Sequence, residues 1–369
     1  MQNGIVKEIF LLRGIACLAV VCIHAISSVF MHYGFRKDPD YMTINNILFV
    51  IQILLMFGTP LFVFISEFVL SHSYKKDLPN GFFKKRIKYI LFPYIFVGIV
   101  SCVIVAINKN AFTFSQLWEI MYEQFLLGYF HGYFVLIIFQ FYVLHIFFKK
   151  YIQNKFAAKK VILSSIIINL IYLFYYNFII PAPKFPFHLM FVAWISYFTI
   201  AFYCGINYEK FKSIITSKNK IIFLAPLFTG GIVLLMCVTG WLTYIQSKRV
   251  DIIFYTIAIA FLLFYIGNKM PKIPTFIVKI SQYSYGIYLL HPFFHLILNE
   301  FFNSSFSMVN IFVYISIAIL MGVIGPALIV KLLNKYRYGA ILVGKVGIGL
   351  VDNRPGKLMH KRHLEKKTV

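Results

Sequence analysis

The fold is decided first by residues 9–30, which read IFLLRGIACLAVVCIHAISSVF. This stretch is almost entirely apolar, and at about 1.5 Å per helical residue it covers the roughly 30 Å hydrocarbon core of a bilayer. It contains Arg13 and His24 and lacks a small-residue cleavage site, so we interpret it as a retained helix and not as a signal peptide. The stretch therefore predicts an integral membrane protein.

Similar apolar blocks continue along the whole chain. The 369 residues are 60% hydrophobic with a mean hydropathy of +0.79, and only 13% are charged. Blocks of membrane-spanning length lie at 9–30, 44–71, 87–107, 131–148, 161–179, 189–207, 220–239, 250–267, 281–299 and 309–333. They predict an all-α, polytopic helix bundle in the cell membrane with about ten transmembrane helices.

The basic residues predict how this bundle is oriented. A net charge of +24 is typical of nucleic-acid-binding domains, but here the charges lie in short loops between apolar blocks, which favours contact with membrane lipid and no nucleic-acid partner. With the N-terminus inside, 29 of the 36 Lys and Arg residues fall in inner segments and 6 in outer ones. Both termini are therefore expected in the cytoplasm, with a transmembrane domain at 1–337 and a basic tail at 338–369 on anionic lipid.

Ionisable residues inside apolar blocks indicate candidate sites, because burying them in a membrane helix is costly. Arg13 and His24 are separated by about three full helical turns, so they share one face of the first helix, about 16 Å apart. Glu67, on the second helix, lies at a depth similar to that of Arg13, which predicts a contact between the two. A purely structural role for these three residues is the alternative interpretation.

Further candidates lie on later helices and in one outer loop. Arg86 is placed to face the inner mouth of the bundle, where a phosphate ligand would enter. In the stretch SYGIYLLHP, residues 284–292, Tyr288 and His291 share a face with His295. Two histidines one turn apart are a partial metal-binding pattern, but no third ligand has a clear spacing, so no metal is expected.

The longest outer segment, 108–130, contains Glu119 and Glu123 one helical turn apart. We expect a short helix at the outer surface there. The five cysteines are odd in number and contain no C-x-x-C pattern, so they predict neither a disulfide framework nor a metal site. The sequence also has no G-x-S-x-G, H-E-x-x-H or Walker-type motif, so no motif in it supports a hydrolase or an ATP-driven pump.

Four stretches together resemble the membrane acyltransferase-3 family over essentially the whole chain. They are the R-x10-H pattern of Arg13 and His24, GTPLFVFIS at 58–66, KRIKYILFPY at 85–94 and SYGIYLLHP at 284–292. The chain departs from the family at one point. Many members place Gly after the Ser of the second-helix motif, whereas here Ser66 is followed by Glu67. The roles of the family's residues in this motif therefore do not carry over to Ser66 and Glu67.

The resemblance implies an O-acyltransferase that takes an acyl group from cytoplasmic acyl-CoA, either acetyl-CoA or succinyl-CoA. The acceptor would be a hydroxyl of a surface polysaccharide or a lipid-linked glycan outside the membrane. His24 suits a general base, since an alcohol that attacks a thioester must lose its proton. Arg13 would act with it, while Tyr288 and His291 would orient His24 or donate to the developing oxyanion.

The remaining candidates complete the predicted substrate-binding set: Arg86, Glu67, Ser284, Glu119 and Glu123. Two other functions remain open at this stage. One is export of a glycan such as poly-β-1,6-N-acetylglucosamine. The sequence contains neither an ATP motif nor a broken-helix repeat that would support this function. The other is a scaffold for a membrane glycosyltransferase or synthase complex.

Overall fold

The computed structural model describes residues 6–33, 39–75, 77–153, 155–180, 185–302 and 310–347. These ranges contain helices, turns and loops and no strand. The α-helices are α1 (Glu8–Tyr33), α2 (Pro39–Leu54), α3 (Gly58–Ser73), α4 (Phe82–Arg86), α5 (Phe92–Lys109), α6 (Phe114–Met121), α7 (Phe134–Phe147), α8 (Ala158–Phe174), α9 (Ile195–Ile206), α10 (Tyr208–Ser217), α11 (Asn219–Val238), α12 (Ile252–Lys269), α13 (Thr275–Phe301), α14 (Asn310–Leu333) and α15 (Gly339–Val343).

Short irregular helices extend or precede several of these. The π-helical segments are Ile87–Leu91, Tyr122–Leu126, Phe148–Ile152 and Tyr175–Ile179. The 3-10 segments are His131–Tyr133, Phe187–Leu189 and Phe191–Trp194. Such segments shift the faces of the helices they join, and they are common at functional sites.

The predicted polytopic bundle is confirmed. Within the described ranges, eight helical segments are long and apolar enough to cross a membrane, and a ninth is the pair Phe191–Ile206 and Tyr208–Ser217, bent by 101°. The helix α13 contains the predicted span 281–299, but it is not among the nine apolar segments just counted. One of its faces is polar and includes Ser281, Ser284 and His291, which lowers its apolarity while leaving it 27 residues long.

The first helix lies at the centre of the bundle, where α1 packs against α3, α12, α13 and α14. Helices α1 and α13 run parallel, because contacts follow the same order along both. Lys7 Nζ donates to the carbonyl of Met270 at 2.6 Å, just before α13 begins, and Arg13 contacts Ser284 further along. A Cβ on Gly14 would lie 2.7 Å from Ile277 Cγ2, so glycine permits this close approach.

The predicted short helix within residues 108–130 is present as α6, and its location outside the cell stays a prediction. Its first residue follows Thr113, whose hydroxyl accepts the main-chain N–H of Gln116, while the Gln116 side chain accepts the N–H of Thr113. This reciprocal pair is a capping box, and it satisfies two backbone donors that the helix itself cannot.

Packing continues past residue 337. The helix α15 packs against α5, and Gly347 N–H donates to the carbonyl of Gln282 at 2.8 Å. Residues 348–369 of the predicted tail lie outside the described residues, and its placement on lipid stays a prediction.

The basic loops gather at one end of the bundle, which we call the inner end. Here Lys7 reaches Met270, Lys149 Nζ donates to the carbonyl of Tyr74 at 2.8 Å, and Lys345 Nζ lies 5.8 Å from the centre of the Tyr89 ring. The opposite end, which holds the turn His131–Tyr133, is the outer end. Which end faces the cytoplasm remains a prediction from the charge asymmetry.

Candidate active site

At the inner end of the site, α1 and α13 meet through Arg13 and Ser284. The Arg13 Nε–H donates to Ser284 Oγ at 2.8 Å, and the Ser284 hydroxyl in turn donates to the carbonyl of Ser281 at 2.9 Å. Ser284 and Ser281 are fully buried, whereas Arg13 is half-buried. The structure therefore brings two of the predicted site residues, Arg13 and Ser284, into direct contact.

Towards the outer end, the same two helices bring His24 and His291 together. Their ring centroids are 5.0 Å apart and the rings meet edge to face. Two more histidines join them, since the His291 ring lies 5.8 Å from that of His131 and 5.6 Å from that of His295. His131 was missed by sequence reasoning. It stands in a 3-10 turn before α7, where helical periodicity gives no signal.

Hydrogen bonds to main-chain carbonyls fix the tautomers of three of these histidines. His131 Nε2 lies 2.9 Å from the carbonyl of Leu289, His291 Nδ1 lies 2.9 Å from that of Ile287, and His295 Nε2 lies 3.2 Å from that of Ala318. A carbonyl only accepts, so each of these nitrogens carries the hydrogen and the other nitrogen of each neutral ring keeps its lone pair.

His24 is half-buried, and among the described residues neither of its ring nitrogens has a hydrogen-bond partner. It is therefore the one histidine of the cluster whose two nitrogens are both available to a substrate. In contrast, His291 Nε2 is fully buried and also without a hydrogen-bond partner among the described residues. An imidazole with an accessible lone pair can accept a proton, which is the property that a general base requires.

Tyr288 lies beside the histidine cluster and contacts His131. Its hydroxyl donates to the carbonyl of His131, and its ring centroid is 6.1 Å from that of His131. The hydroxyl hydrogen is thus engaged with the main chain. In this arrangement Tyr288 orients the turn that carries His131.

Arg86 stands at the inner end with its guanidinium over two aromatic rings, 4.9 Å from the Phe82 centroid and 5.3 Å from the Tyr142 centroid. Both Arg86 and Tyr142 lie within electrostatic range of Arg13. Two guanidinium groups are therefore concentrated at one end of the α1–α13 pair. Such a concentration favours a phosphate or another anion.

The predicted contact between Arg13 and Glu67 is wrong. Glu67 Oε1 lies 2.7 Å from His145 Nδ1, and both side chains are 1% exposed. None of the three ion pairs within the described part of the chain joins Glu67 to Arg13. Similar depth did not imply contact, because the face of α3 that carries Glu67 packs against α7, while α13 supplies the neighbour of Arg13.

The two outer glutamates lie apart from the histidines. Glu119 is exposed on α6, and Glu123 forms an ion pair with Lys109 at 3.4 Å. In the described ranges, no group of three or more His, Cys, Asp or Glu side chains is arranged to hold a metal ion. The five cysteines are all free thiols.

Comparisons with known proteins identify one domain over nearly the whole chain. The model of a family described as an acyltransferase domain matches residues 6–331. A Bacillus subtilis (strain 168) protein named "Putative membrane-bound acyltransferase YfiQ" is 36% identical over 352 residues, which cover 92% of this chain and 95% of the relative. No solved structure matches.

Two further relatives carry another name, "Probable poly-beta-1,6-N-acetyl-D-glucosamine export protein". The one from Staphylococcus aureus (strain Mu50 / ATCC 700699) is 24% identical and covers 92% of this chain and 95% of its own length. The one from Staphylococcus epidermidis is 26% identical, with coverage of 85% and 87%.

Proposed function

Because the chain belongs to the membrane acyltransferase-3 family, we propose that it is an O-acyltransferase that moves an acetyl or succinyl group from cytoplasmic acyl-CoA to a hydroxyl of a surface polysaccharide or lipid-linked glycan. No metal takes part in this proposal. The family membership supports acyl transfer, and the names of the staphylococcal relatives support a polysaccharide as the acceptor.

One observation carries the proposal. The parallel helices α1 and α13 meet at two polar points, Arg13 with Ser284 and His24 with His291. Along α1 these points are about 16 Å apart. Arg13 thus faces the basic inner end, where a phosphate-bearing donor would arrive, and His24 stands near the outer end, where a glycan would arrive.

The reaction assigned to this arrangement is direct acyl transfer. His24 takes the proton of the acceptor hydroxyl as its oxygen attacks the thioester carbonyl, so a C–O bond forms and the C–S bond breaks. The proton then passes from His24 to the departing thiolate, which leaves as the CoA thiol. Arg13 and Arg86 hold the donor phosphates by charge-assisted hydrogen bonds, and His291 packs against His24 to fix its ring.

The other predicted substrate-binding residues have supporting parts in the proposal. Ser284 orients Arg13 through the hydrogen bond between them. Glu67 acts only through its pair with His145, as a structural element of the inner half. Glu119 and Glu123 lie on and after α6, at the outer surface that a long acceptor glycan would approach.

The experiment that tests the proposal compares His24→Ala with His72→Asn in the full chain reconstituted in proteoliposomes. The readout is transfer of labelled acetyl from acetyl-CoA to a β-1,6-linked N-acetylglucosamine oligosaccharide. We expect His24→Ala to lose about 10²–10⁴ in rate, the usual contribution of general-base help. His72, a half-buried histidine on α3, is a matched control that lies outside the histidine cluster and should retain transfer.

Export of poly-β-1,6-N-acetyl-D-glucosamine is the second candidate, and the names of the staphylococcal relatives favour it. An exporter has no proton to abstract from a hydroxyl. Polymer released by cells with His24→Ala protein of normal abundance separates the two functions. Unchanged ester content per unit of polymer would contradict the transferase, and a loss of ester at constant polymer yield would contradict pure export.

A further inference from the structure

A cluster of side chains at the outer end takes part in none of the steps above. It consists of Tyr133, Phe187, His188 and Lys248, which come from the turn before α7, the turn before α9 and the loop before α12. Lys248 Nζ lies 5.8 Å from the Tyr133 ring centroid and 5.9 Å from that of Phe187. The rings of Tyr133 and His188 meet edge to face at 5.0 Å. We call this group the lysine cluster.

The Lys248 ammonium lacks an oxygen partner. Among the described residues, no hydrogen bond or ion pair reaches Nζ, and its neighbours are the faces of two aromatic rings. Burial lowers the pKa of Lys248 to about 8, from the usual value of 10.5. Lys248 is half-buried, so its ammonium has lost part of its hydration, and cation–π contacts at this range replace only some of that loss.

The main chain around the lysine cluster is fixed before any ligand arrives. Trp194 Nε1–H donates to the carbonyl of His188 at 2.8 Å, and the Asn177 side-chain amide donates to the carbonyl of Lys248 at 3.2 Å. Asn177 also accepts the main-chain N–H of Val250 at 2.8 Å. Because these bonds already order both loops, a ligand would not have to supply that ordering energy.

The lysine cluster adjoins the histidine cluster through a single turn of chain. Tyr133 and His131 occupy the same 3-10 segment with only Gly132 between them. Two residues of backbone span at most about 7 Å. The lysine cluster and the histidine cluster are therefore joined by two residues of main chain.

We propose that Tyr133, His188 and Lys248 form a subsite for the acceptor glycan, in which the Lys248 ammonium donates to hydroxyl or acetamido oxygens of the sugar next to the one that is acylated. This inference rests on the proposed transferase function and names its acceptor-binding residues. Phe187 and His188 are buried, whereas Tyr133 and Lys248 are half-buried. A ligand would therefore meet an aromatic ring beside an ammonium, a pairing that suits a sugar because its ring offers C–H groups and its hydroxyls accept hydrogen bonds.

The test uses the full chain in nanodiscs and compares Lys248→Met, which keeps the length but not the charge, with Lys109→Met. Lys109 is an outer lysine whose side chain is 58% exposed and is the matched control. The probe is a β-1,6-linked N-acetylglucosamine oligosaccharide. We expect Lys248→Met to raise the KM for the oligosaccharide at least tenfold, with little change in kcat or in the KM for acetyl-CoA, while Lys109→Met changes none of the three.

The pH profile gives a second readout. Lys248 is charged below a pH of about 8 and neutral above it, so the wild-type affinity for the oligosaccharide should fall as the pH rises through 8. Lys248→Arg, which stays charged, should bind with a flat profile, and Lys248→Met should bind weakly throughout. An unchanged oligosaccharide KM in Lys248→Met, or an equal rise in the acetyl-CoA KM, would overturn the subsite.

Direct binding separates this inference from the transferase proposal. Binding of a fluorescent oligosaccharide without acetyl-CoA needs no chemistry, so Lys248-dependent binding without any acyl transfer would support the subsite and contradict the transferase. Transfer that proceeds in Lys248→Met at wild-type KM would do the reverse. If the effect of Lys248→Met appeared only in nanodiscs of anionic lipid, Lys248 would be assigned to a lipid headgroup and the subsite would be overturned.

Discussion

Glu67 and His145 form the most deeply buried side-chain pair of opposite potential charge near the inner end. Their atoms are 2.7 Å apart and each side chain is 1% exposed, while His145 Nε2 has no hydrogen-bond partner in the described ranges. A buried pair of this kind adds little to the free energy of unfolding beyond what two well-packed apolar side chains in its place would add. Loss of one partner alone is costly, since the other stays buried and unsatisfied.

We therefore predict that Glu67→Ala and His145→Ala each lower the free energy of unfolding by about 1–3 kcal/mol, the usual cost of leaving a buried hydrogen-bonding group unsatisfied. The double variant should lose less than the sum of the two. Denaturation in detergent micelles measures all three values. Glu119→Ala, at an exposed position, is the control and should stay within about 0.5 kcal/mol of the parent. Additive losses in the double variant would contradict the pairing.

Spacing along a helix predicted which residues share a face but not which residue each one meets. The eleven-residue interval brought Arg13 and His24 to the same side of α1, and the structure places both against α13. The partner of Glu67 depends on how α3 packs against α7, which no local pattern records. His131 depends on a turn between spans, so its place in the histidine cluster also required the tertiary structure.

At the scale of elements, glycines decide how closely the helices around the site approach. A Cβ on Gly322 of α14 would lie 2.7 Å from His295 Nε2 and 2.9 Å from Val21 Cγ1. Both distances are too short for a carbon atom, so α14 reaches the histidine cluster only because residue 322 has no side chain. Gly231 of α11 is the opposite case, since a Cβ there would meet nothing within 4 Å.

The two glycines give a matched prediction. Gly322→Ala should lower the free energy of unfolding by about 1–3 kcal/mol through overpacking, and it should weaken acyl transfer by displacing His295. Gly231→Ala should instead stabilise the protein by about 0.5–1 kcal/mol, because alanine suits a helix interior better than glycine. Thermal unfolding and transfer rates of both variants provide the test. Equal stability of the two variants would show that α14 can move aside without cost.

The positions of the long helices could be predicted because apolar length alone determines which segments can cross a bilayer. The bends between helices could not be predicted, because apolarity does not determine the angle between consecutive segments. The break between α2 and α3 and the 101° angle between the segments that begin at Phe191 and Tyr208 depend on packing. The helix α13 is long enough to cross a bilayer, but its polar face lowers its apolarity.

At the scale of the molecule, one end of the bundle is basic and the other carries the histidine and lysine clusters. The structure groups Lys7, Lys149 and Lys345 at the inner end, as the alternation of the predicted spans requires. Orientation relative to the cell is not a property of the bundle itself. It follows from the preference of Lys and Arg for the cytoplasmic side during insertion.

We predict that an impermeant maleimide labels Glu119→Cys in intact cells but labels Lys150→Cys only after the cells are opened. Both positions are exposed in the structure and lie at opposite ends of the bundle. The native cysteines are buried or half-buried, and the parent protein gives the background. Labelling of Lys150→Cys in intact cells would reverse the orientation and with it the direction of acyl transfer.

The pairing of α1 with α13 has a consequence for how the protein is made. Arg13 enters the membrane among the first residues synthesised, whereas Ser284 and His291 are translated more than 250 residues later. The ribosome must therefore insert most of the chain before Arg13 can meet its neighbour on α13. A product truncated before α13 leaves that guanidinium without this hydrogen bond, in an environment where a charged side chain is costly. Incomplete copies should accordingly pack less stably than the full-length protein, however many of the earlier helices they contain.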